Sequence, residues 1–260
     1  MMKLVKNLKS LDEYVTARQD NKVYFKGELC FFKTGDSLLL LNELVAEELA
    51  KDFKIPCAHY EIGTLKDKPV VLSKSVFEKN AVFYSLFNLI EYDIDLETIW
   101  NELDRKYKDY DLVAKLMEEI VKVFLFDILI ANGDRHGLNL FIEESAKGIQ
   151  VAPIFDNENM LSELSISHQM YILNTEPVNP ANSTNILERF LRISDGRYAK
   201  TLQDNLWIIS EENIKKVFSR IEQERGIVLK KEYKKTIIDG FKANLAMING
   251  ALEKTKAKRI

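Results

Sequence analysis

The sequence predicts an α+β chain in which a small β-rich lobe precedes a larger, mostly helical lobe. In residues 1–77, aromatic and β-branched segments alternate with turn residues, which is typical of short strands. Residues 78–260 instead carry long apolar stretches with helical spacing. The chain has 260 residues, of which 46% are hydrophobic, and this is enough for one large domain or two lobes with a sizeable core.

The first lobe is predicted to contain a small sheet with one helix on it. The segment VYFKGELCFFKTG (23–35) is rich in aromatic residues and carries two glycines, which predicts a hairpin or two short strands. The segment LLLLNELVAEELAKDF (38–53) combines apolar spacing with good helix formers and predicts a helix. AHYEIG and PVVLSKSV predict two further strands around a turn at Asp67 and Lys68.

The second lobe is predicted to surround one central helix. LVAKLMEEIVKVFLFDILIAN (112–132) is apolar on most faces, as expected of a helix buried in a larger helical domain. LNLFIEESAKGIQVAPIFD (138–156) predicts a hairpin, and irregular chain is expected from 157 to about 183.

Two helices are predicted near the carboxyl end of the chain. Ser210 as N-cap and Gly226 as the stop residue predict one helix between them. Residues 230–254 predict the last helix, which two glycines weaken. No internal repeat interrupts this order, so the prediction remains a β-rich lobe followed by a helical one.

Composition and charge exclude several classes of partner and site. The net charge of −3 gives no strong field, so the chain itself is not expected to bind nucleic acid. Cys30 and Cys57 do not form a zinc pattern with the three scattered histidines; free thiols are expected, with a disulfide as the alternative. The amino-terminal residues lack a secretion signal, and the most apolar run is too short to span a bilayer. We therefore expect a cytoplasmic protein without membrane contact.

A polar cluster interrupts the apolar stretch ILIANGDRHGLNLFI (128–142). Asp134 and Asn139 lie five residues apart in it, and Asp156 follows a predicted hairpin that would return the chain to its starting point. Carboxylate and amide oxygens are hard ligands of the kind that Mg²⁺ takes. In phosphoryl transfer, one Asp orients the attacking hydroxyl while an Asn and a second Asp hold the metal. The spacing thus predicts Asp134 as the base and Asn139 and Asp156 as metal ligands.

The same interval separates the base from the metal-binding Asn in the H-R-D-x-x-x-x-N loop of protein kinases, although the first three residues are reversed here. NGDRHGLN followed by APIFD resembles the HipA-like kinases and is also similar to the D-R-H-x-x-N loop of phosphatidylinositol kinases. The resemblance covers residues 22 to about 250 and implies a two-lobed protein-kinase-like fold in a short form, without the extra amino-terminal subdomain of HipA.

The resemblance also assigns residues in the first lobe. LCFFK resembles the strand that presents the ATP-binding lysine, here Lys33, whose ordinary alternative is a strand-end lysine that reaches solvent. NELVAEELAKDFKIP resembles the helix that follows, which implies Glu43 as the partner of Lys33. Glu47 and Glu48 lie one turn further along the helix and are alternatives to Glu43.

The remaining nucleotide contacts are assigned less directly. VVLSKSVF sits where the family has its interlobe hinge and adenine contact, which implies Ser73 and Ser75 as cofactor-binding residues. The sequence has no G-x-G-x-x-G loop, so the phosphate-covering turn is either 19–22 or the pair Lys26 and Gly27.

Three residues around the loop have alternative roles, and a fourth has a support role. His136 either holds the loop in shape or assists the base at the transferred phosphate. Arg135 pairs with a phosphorylated residue or an acidic side chain, or covers the loop. Asp127 is expected to support the loop by hydrogen bonding, because a buried carboxylate needs partners. DNE stands where D-F-G is usual, so Glu158 either adds a second carboxylate near the metal or caps the turn.

The resemblance implies a kinase with ATP and Mg²⁺ as cofactors that phosphorylates Ser or Thr of a protein substrate, with an antitoxin partner for some members. Two other functions stay open: a lipid or small-molecule kinase with the same residues, and a nucleotide-binding pseudokinase that acts as an interaction module. Asp and Asn also commonly cap helices and form turns. Four hydroxyls after Asp156 are candidate phosphorylation sites: Ser162, Ser165, Ser167 and Tyr171.

Overall fold

The computed structural model of the protein describes most of the chain outside one long segment near the middle. The described residues are 4–19, 22–34, 37–76, 80–86, 96–133, 135, 137–161 and 196–257. Predictions for several residues therefore lie outside the described ones: Asp134, His136, Ser162, Ser165, Ser167, Tyr171 and most of the irregular stretch expected after 157.

The first part of the chain forms a five-stranded antiparallel sheet in the order β2-β3-β4-β6-β5. In chain order, this part of the molecule contains β1 (Val5–Lys6), β2 (Val15–Gln19), β3 (Lys22–Phe25), β4 (Glu28–Lys33), α1 (Ser37–Phe53), β5 (Tyr60–Leu65) and β6 (Lys68–Lys74). The two predicted strand pairs and the predicted helix are confirmed. The second turn lies at Lys66 and Asp67, one residue earlier than predicted, and both have positive φ (49° and 59°).

Helix α1 packs between the first sheet and the helices of the second lobe. It contacts β5 and β6 on the sheet side and two helices of the second lobe on the other. Leu41, Val45, Ala46 and Leu49 are fully buried as a result. The helix is therefore packed on both sides, and its buried glutamates, Glu43, Glu47 and Glu48, have hydrogen-bond partners within the protein.

The described residues after the first sheet are mostly helical, with a second, smaller sheet of three strands. Its elements are β7 (Val82–Ser85), α2 (Leu96–Tyr107), α3 (Tyr110–Ile130), β8 (Phe141–Ser145), β9 (Gly148–Val151), α4 (Arg197–Asn205), α5 (Glu211–Arg225), β10 (Val228–Leu229) and α6 (Lys231–Ala257). The predicted central helix, hairpin and last two helices are confirmed. Strand β7, which pairs with β8, and helix α2 were not predicted.

Local caps define the ends of the predicted helices. The Asp109 side chain accepts a hydrogen bond from the Leu112 N–H at the start of α3, and Ala131 ends that helix with φ 49°. Ser210 caps α5 by accepting from the Asn213 N–H at 3.3 Å, and α5 ends at Gly226 with φ 62°. The central loop thus begins directly after a well-defined helix end.

Hydrogen bonds to the segment between α1 and β5 fix the return of the β8–β9 hairpin. The Ile154 N–H donates to the Pro56 carbonyl at 2.9 Å, and the Ala58 N–H donates to the Ile154 carbonyl at 2.8 Å. Phe155 and Asp156 therefore follow a segment that is tied to the first sheet. This connection brings Asp156 next to the first sheet, within hydrogen-bond distance of the Tyr60 hydroxyl.

The amino-terminal segment joins both parts of the molecule. Val5 pairs with Leu229 in a two-stranded sheet, and the Leu11 N–H donates to the Thr64 carbonyl at 2.8 Å. Gly63 makes this approach possible, because a Cβ there would lie 2.5 Å from the Leu11 Cγ. No prediction covered this strap, since its contacts join residues far apart in sequence.

Two further expectations concern the state of the cysteines and membrane-spanning helices. Cys30 and Cys57 are both free thiols, as expected. Among the helices of the described residues, none combines the length and the hydropathy needed to cross a bilayer.

Candidate active site

Lys33 lies at the end of β4, where its ammonium meets three carboxylates. The Lys33 Nζ is 2.7 Å from the Glu43 Oε1 and 3.1 Å from the Glu158 Oε2, and it also contacts the Asp156 Oδ1. Alternation along β4 places it there. Cys30 and Phe32 point into the core, whereas Lys33 points to the opposite face. The side chain therefore lies in the cleft and is not a solvent-reaching strand end.

Charge and burial have opposite effects on the pKa values of Lys33 and Glu43. Burial favours the neutral form of Lys33, but the carboxylates of Glu43 and Asp156 outweigh it and raise the pKa of Lys33 above its ordinary value. Burial raises the pKa of Glu43, and the attraction of Lys33 offsets this only in part. Lys33 thus carries its charge throughout the physiological pH range.

The two alternative glutamates of α1 have other partners. The Glu47 carboxylate lies 2.8 Å from the His59 Nδ1 and accepts from the Arg225 Nη2 at 3.1 Å. Glu48 accepts from the Arg220 Nε at 2.8 Å. Glu43 is accordingly the residue of this helix that meets Lys33.

The turn after the hairpin is held from several sides. Asp156 has φ 62°, and its N–H donates to the Tyr60 hydroxyl at 3.3 Å. The Asn157 N–H donates to the Glu43 Oε2 at 2.9 Å, and the Asn42 side chain donates to the Glu158 carbonyl at 2.9 Å. Two neighbouring residues of α1 therefore bind the turn that presents Asp156.

The central loop is built around Asp127 and Arg135. The predicted support role of Asp127 is confirmed: its carboxylate accepts from the Asn132 side chain at 3.0 Å and from the Arg135 Nε at 3.0 Å. Of the alternatives for Arg135, the structure shows pairing with an acidic side chain. Arg135 also donates to the Asn139 carbonyl at 3.3 Å, and the buried Asn139 is thereby tied to the loop.

Three carboxylates form a group that could hold a cation. Glu43, Asp156 and Glu158 each offer one oxygen, and these oxygens lie within 4.8 Å of one another. Hard oxygen donors of this type fit Mg²⁺. Of the two alternatives for Glu158, the structure shows a carboxylate beside Asp156 and Lys33. The roles of Asn139 and Asp156 as metal ligands stay predictions.

A cavity of about 210 Å³ adjoins this group. Its lining is mainly apolar and aromatic, with Lys33 and Asp156 at one end, and it includes Phe31, Phe32, Lys33, Ala58, Tyr60, Ser73, Lys74, Val76, Phe155 and Asp156. Such a lining suits a flat aromatic ligand with a charged end. Ser73 is part of it. Ser75 is not among the lining residues, and its N–H donates to the Leu29 carbonyl at 3.1 Å.

The phosphate-covering turn stays open. Lys26 and Gly27 form the β3–β4 turn, where the Lys26 ammonium lies over the rings of Tyr14 and Phe25. In the alternative turn, 19–22, two residues lie outside the described ones. Among the described residues of both turns, none lines the cavity.

Sequence reasoning missed three residues that contact the site: Asn42, Tyr60 and Asn157. Asn157 had a signal, because it stands where D-F-G has its Phe, but the substitution was read only as a departure from the pattern. Asn42 directly precedes Glu43 in the segment NELVAEELAKDFKIP. Tyr60 had no signal, since an aromatic residue on a strand is most often part of the core.

Neither protein-family models nor curated proteins match this chain. Among solved structures, it is similar to the Helicobacter pylori proinflammatory kinase CtkA, with a TM-score of 0.66 and 18% identity over 98% of this chain and 100% of that chain. It is also similar to HipA of Shewanella oneidensis, from a toxin–antitoxin system with HipB and operator DNA, with a TM-score of 0.60 and 13% identity over 92% of this chain and 67% of that chain. At these identities the likeness shows the fold: the chain has the two-lobed, HipA-like kinase fold that its motifs implied.

Proposed function

We propose that this protein is a kinase that transfers the γ-phosphate of ATP, with Mg²⁺, to the hydroxyl of Ser or Thr in a protein substrate. The observation that carries the proposal is the meeting of one lysine with three carboxylates beside an aromatic cavity: Lys33 with Glu43, Asp156 and Glu158. The likeness in fold to CtkA, a kinase by name, supports the general class.

The nucleotide would bind with its base in the aromatic cavity and its phosphates towards Lys33. Phe31 and Val76 line the apolar part, and Ser73 offers a polar group at its edge. Because Lys33 stays charged, it would attract the α- and β-phosphates, and Glu43 would hold its ammonium at the correct end of the cavity.

Asn139 and Asp156 would hold Mg²⁺, with Glu158 as a further carboxylate nearby. The bound ion would neutralise charge on the phosphates, which is the chemistry that it supplies. The chain contributes the carboxylate and amide oxygens. Arg135 donates to the Asn139 carbonyl, and the Tyr60 hydroxyl accepts from the Asp156 N–H.

Asp134 would accept the proton of the substrate hydroxyl and orient its oxygen, with His136, two residues further along, as an aid to orientation. Both lie outside the described residues, and these roles follow from the resemblance. The transition state of phosphoryl transfer is loose, so the protein has to supply mainly positioning and charge neutralisation.

The test is phosphate transfer from γ-labelled ATP by the purified protein with Mg²⁺ and a generic protein substrate. We expect label in protein, and a loss of at least about 100-fold in Asp156→Asn, since a charge in the transition-state site is removed. Asp239→Asn is the matched control, because Asp239 is an exposed residue of α6 that pairs with Lys235.

Two other outcomes of this experiment would favour the alternative functions. Binding of Mg-ATP without transfer to the protein itself, to a generic protein or to a lipid panel would contradict the kinase proposal and favour a pseudokinase. Transfer to lipid or a small molecule alone would keep the kinase class and reject the protein substrate.

We extend the proposal to a partner and a location. HipA of the similar structure belongs to a toxin–antitoxin system with HipB, which supports an antitoxin partner for this chain. The free thiols fit a reducing cytoplasm. Growth arrest on expression of the wild type, its absence with Asp156→Asn, and relief by a co-expressed neighbouring gene product are expected. Arrest that Asp156→Asn also causes would reject the toxin role.

A further inference from the structure

Arg135 is saturated with hydrogen bonds. Its Nε and Nη2 donate to the two oxygens of Asp127 at 3.0 and 3.1 Å, and Nη2 also donates to the Asn157 Oδ1 at 2.5 Å. Its Nη1 donates to the carbonyls of Phe155 at 2.7 Å and Asn139 at 3.3 Å. A guanidinium has five N–H groups, and each finds an acceptor here. The side chain is 1% exposed, so it is enclosed as well as satisfied.

Asn157 connects this arginine to helix α1. It is fully buried, and its Oδ1 accepts from Arg135 while its backbone N–H donates to the Glu43 Oε2 at 2.9 Å. Its Nδ2 faces the Cys57 Sγ at 3.8 Å, and its carbonyl accepts from the Met160 N–H at 3.1 Å. Asn157 is therefore bound to the central loop and to the helix that carries Glu43.

Asp156 needs such support. Its φ of 62° is left-handed, which is unfavourable for a residue with a Cβ, and such backbone persists only where its surroundings hold it. Arg135 binds the residue on each side of Asp156, at the Phe155 carbonyl and the Asn157 side chain. The Tyr60 hydroxyl accepts the N–H of Asp156 itself.

We propose that Asn157 is a positioning residue for Asp156, and that Arg135 and Asn157 form a latch that holds Asp156 in place without phosphorylation of the chain after it. The latch rests on its own contacts, and its catalytic meaning rests on the proposed function. Arg135 directly follows Asp134 in sequence, and an arginine next to a catalytic Asp can serve as a receptor for a phosphorylated side chain. Arg135 has no N–H left for that role, so a phosphate could bind it only by breaking the latch.

Hydrogen exchange tests the latch directly. The backbone amides of Asp156 and Asn157 are expected to exchange slowly in wild-type protein that mass spectrometry shows to carry no phosphate. Asn157→Ala should speed their exchange at least tenfold. Asn213→Ala is the matched control, because Asn213 is also buried and donates its side-chain amide to Asp52 at 2.8 Å and the Ile208 carbonyl at 2.9 Å. Fast exchange in unphosphorylated wild type, or equal exchange in both variants, would overturn the proposal.

Two further variants keep this test decisive if Asn157→Ala does not fold. Asn157→Asp keeps an acceptor oxygen for Arg135 and should retain slow exchange. Arg135→Lys keeps the charge beside Asp127 but has three donors where five are needed, so it should speed exchange at least tenfold. Slow exchange in Arg135→Lys, or fast exchange in Asn157→Asp, would contradict the latch.

Kinetics then separate positioning from general stability. In Asn157→Ala the Mg²⁺ concentration for half-maximal activity should rise at least tenfold, with KM for the protein substrate changed less than twofold. Asn157→Asp should restore the wild-type requirement, and Asn213→Ala should not alter it. An unchanged Mg²⁺ requirement in Asn157→Ala would overturn the positioning role. If the wild type transfers no phosphate, the proposed function fails while the exchange results still decide the latch.

Discussion

Two charge networks border helix α1, and they differ in how far they are buried. The loop network comprises Asp127, Asn132, Arg135 and Asn157, all of them at most 1% exposed. The helix network joins α1 to α5 and comprises Glu47, Glu48, Asp52, His59, Arg220 and Arg225. In the helix network the acidic groups are largely buried, but the side chain of Arg220 is 33% exposed and that of His59 is 42% exposed.

The difference shows where an ion pair matters for the site and where it matters for packing. A charge without water access must satisfy all its hydrogen bonds within the protein, so the loop network has one favourable geometry. In the helix network, water reaches the exposed sides of Arg220 and His59, so the loss of a partner there should cost less. We expect the first network to determine the position of Asp156 and the second to determine how firmly α5 holds α1.

The largest effect is expected from Arg135→Met. The variant would leave the Asp127 carboxylate buried without its counter-charge, and breaking such a pair costs about 3–5 kcal/mol in the free energy of unfolding. Urea denaturation measures this loss. The double variant Asp127→Leu with Arg135→Met should recover part of it, and a loss below about 1 kcal/mol in the single variant would contradict the contrast between the networks.

Arg220→Met should have a smaller effect of about 1–3 kcal/mol, because it removes hydrogen bonds to the charged groups Glu48 and Asp52. Glu48 keeps Lys51 as a partner. The same urea titration provides the measurement, and ATP affinity should stay unchanged. Arg105→Met is the control, since Arg105 pairs with Glu102 at an exposed site and should change stability by less than about 1 kcal/mol. Loss of ATP binding in Arg220→Met would show that the networks are not separate.

Tyr60→Phe tests a single hydroxyl between the helix and the turn. The hydroxyl accepts from the Asp156 N–H and hydrogen bonds to Glu43, and burial followed by the Glu43 charge raises the pKa of Tyr60 well above its ordinary value. Its removal should cost about 1 kcal/mol of unfolding free energy, with weaker Mg²⁺ activation as a sign of its place near the site. Unchanged Mg²⁺ activation would show that the Tyr60 hydroxyl contributes to stability but not to the position of Asp156.

The smallest effect is expected from pH at His59. Hydrogen bonds to Glu47 and Glu61 raise the pKa of His59 to about 9. The contribution of His59 to stability is complete below the unfolded-state pKa of about 6.5 and is lost as pH rises through about 9, because only the folded state keeps the proton in between. Solvent screening keeps the change below about 1 kcal/mol. The free energy of unfolding from pH 6 to 10 should fall less in His59→Gln; equal curves would contradict the assignment.

Local patterns predicted the regular elements well. Alternation and turn residues indicated the strand pairs of the first sheet, and the apolar run from 112 with its polar end indicated α3. The pairing of β1 with β10 and of β7 with β8 was not predictable in this way. Short strands whose partners are distant in sequence carry little signal of their own, because their pairing depends on the contacts of the whole fold.

The sequence by itself supplied the candidate residues: the spacing of Asp134, Asn139 and Asp156 predicted a metal site for phosphoryl transfer, and the resemblance to HipA-like kinases added Lys33 and Glu43. Only the tertiary structure decided which α1 glutamate contacts Lys33. It also showed that Arg135 is buried and hydrogen-bonds the residues on both sides of Asp156. Three glutamates within two turns of one helix look alike in sequence. Their partners come from other elements, and burial then decides which pairs exclude water and become rigid.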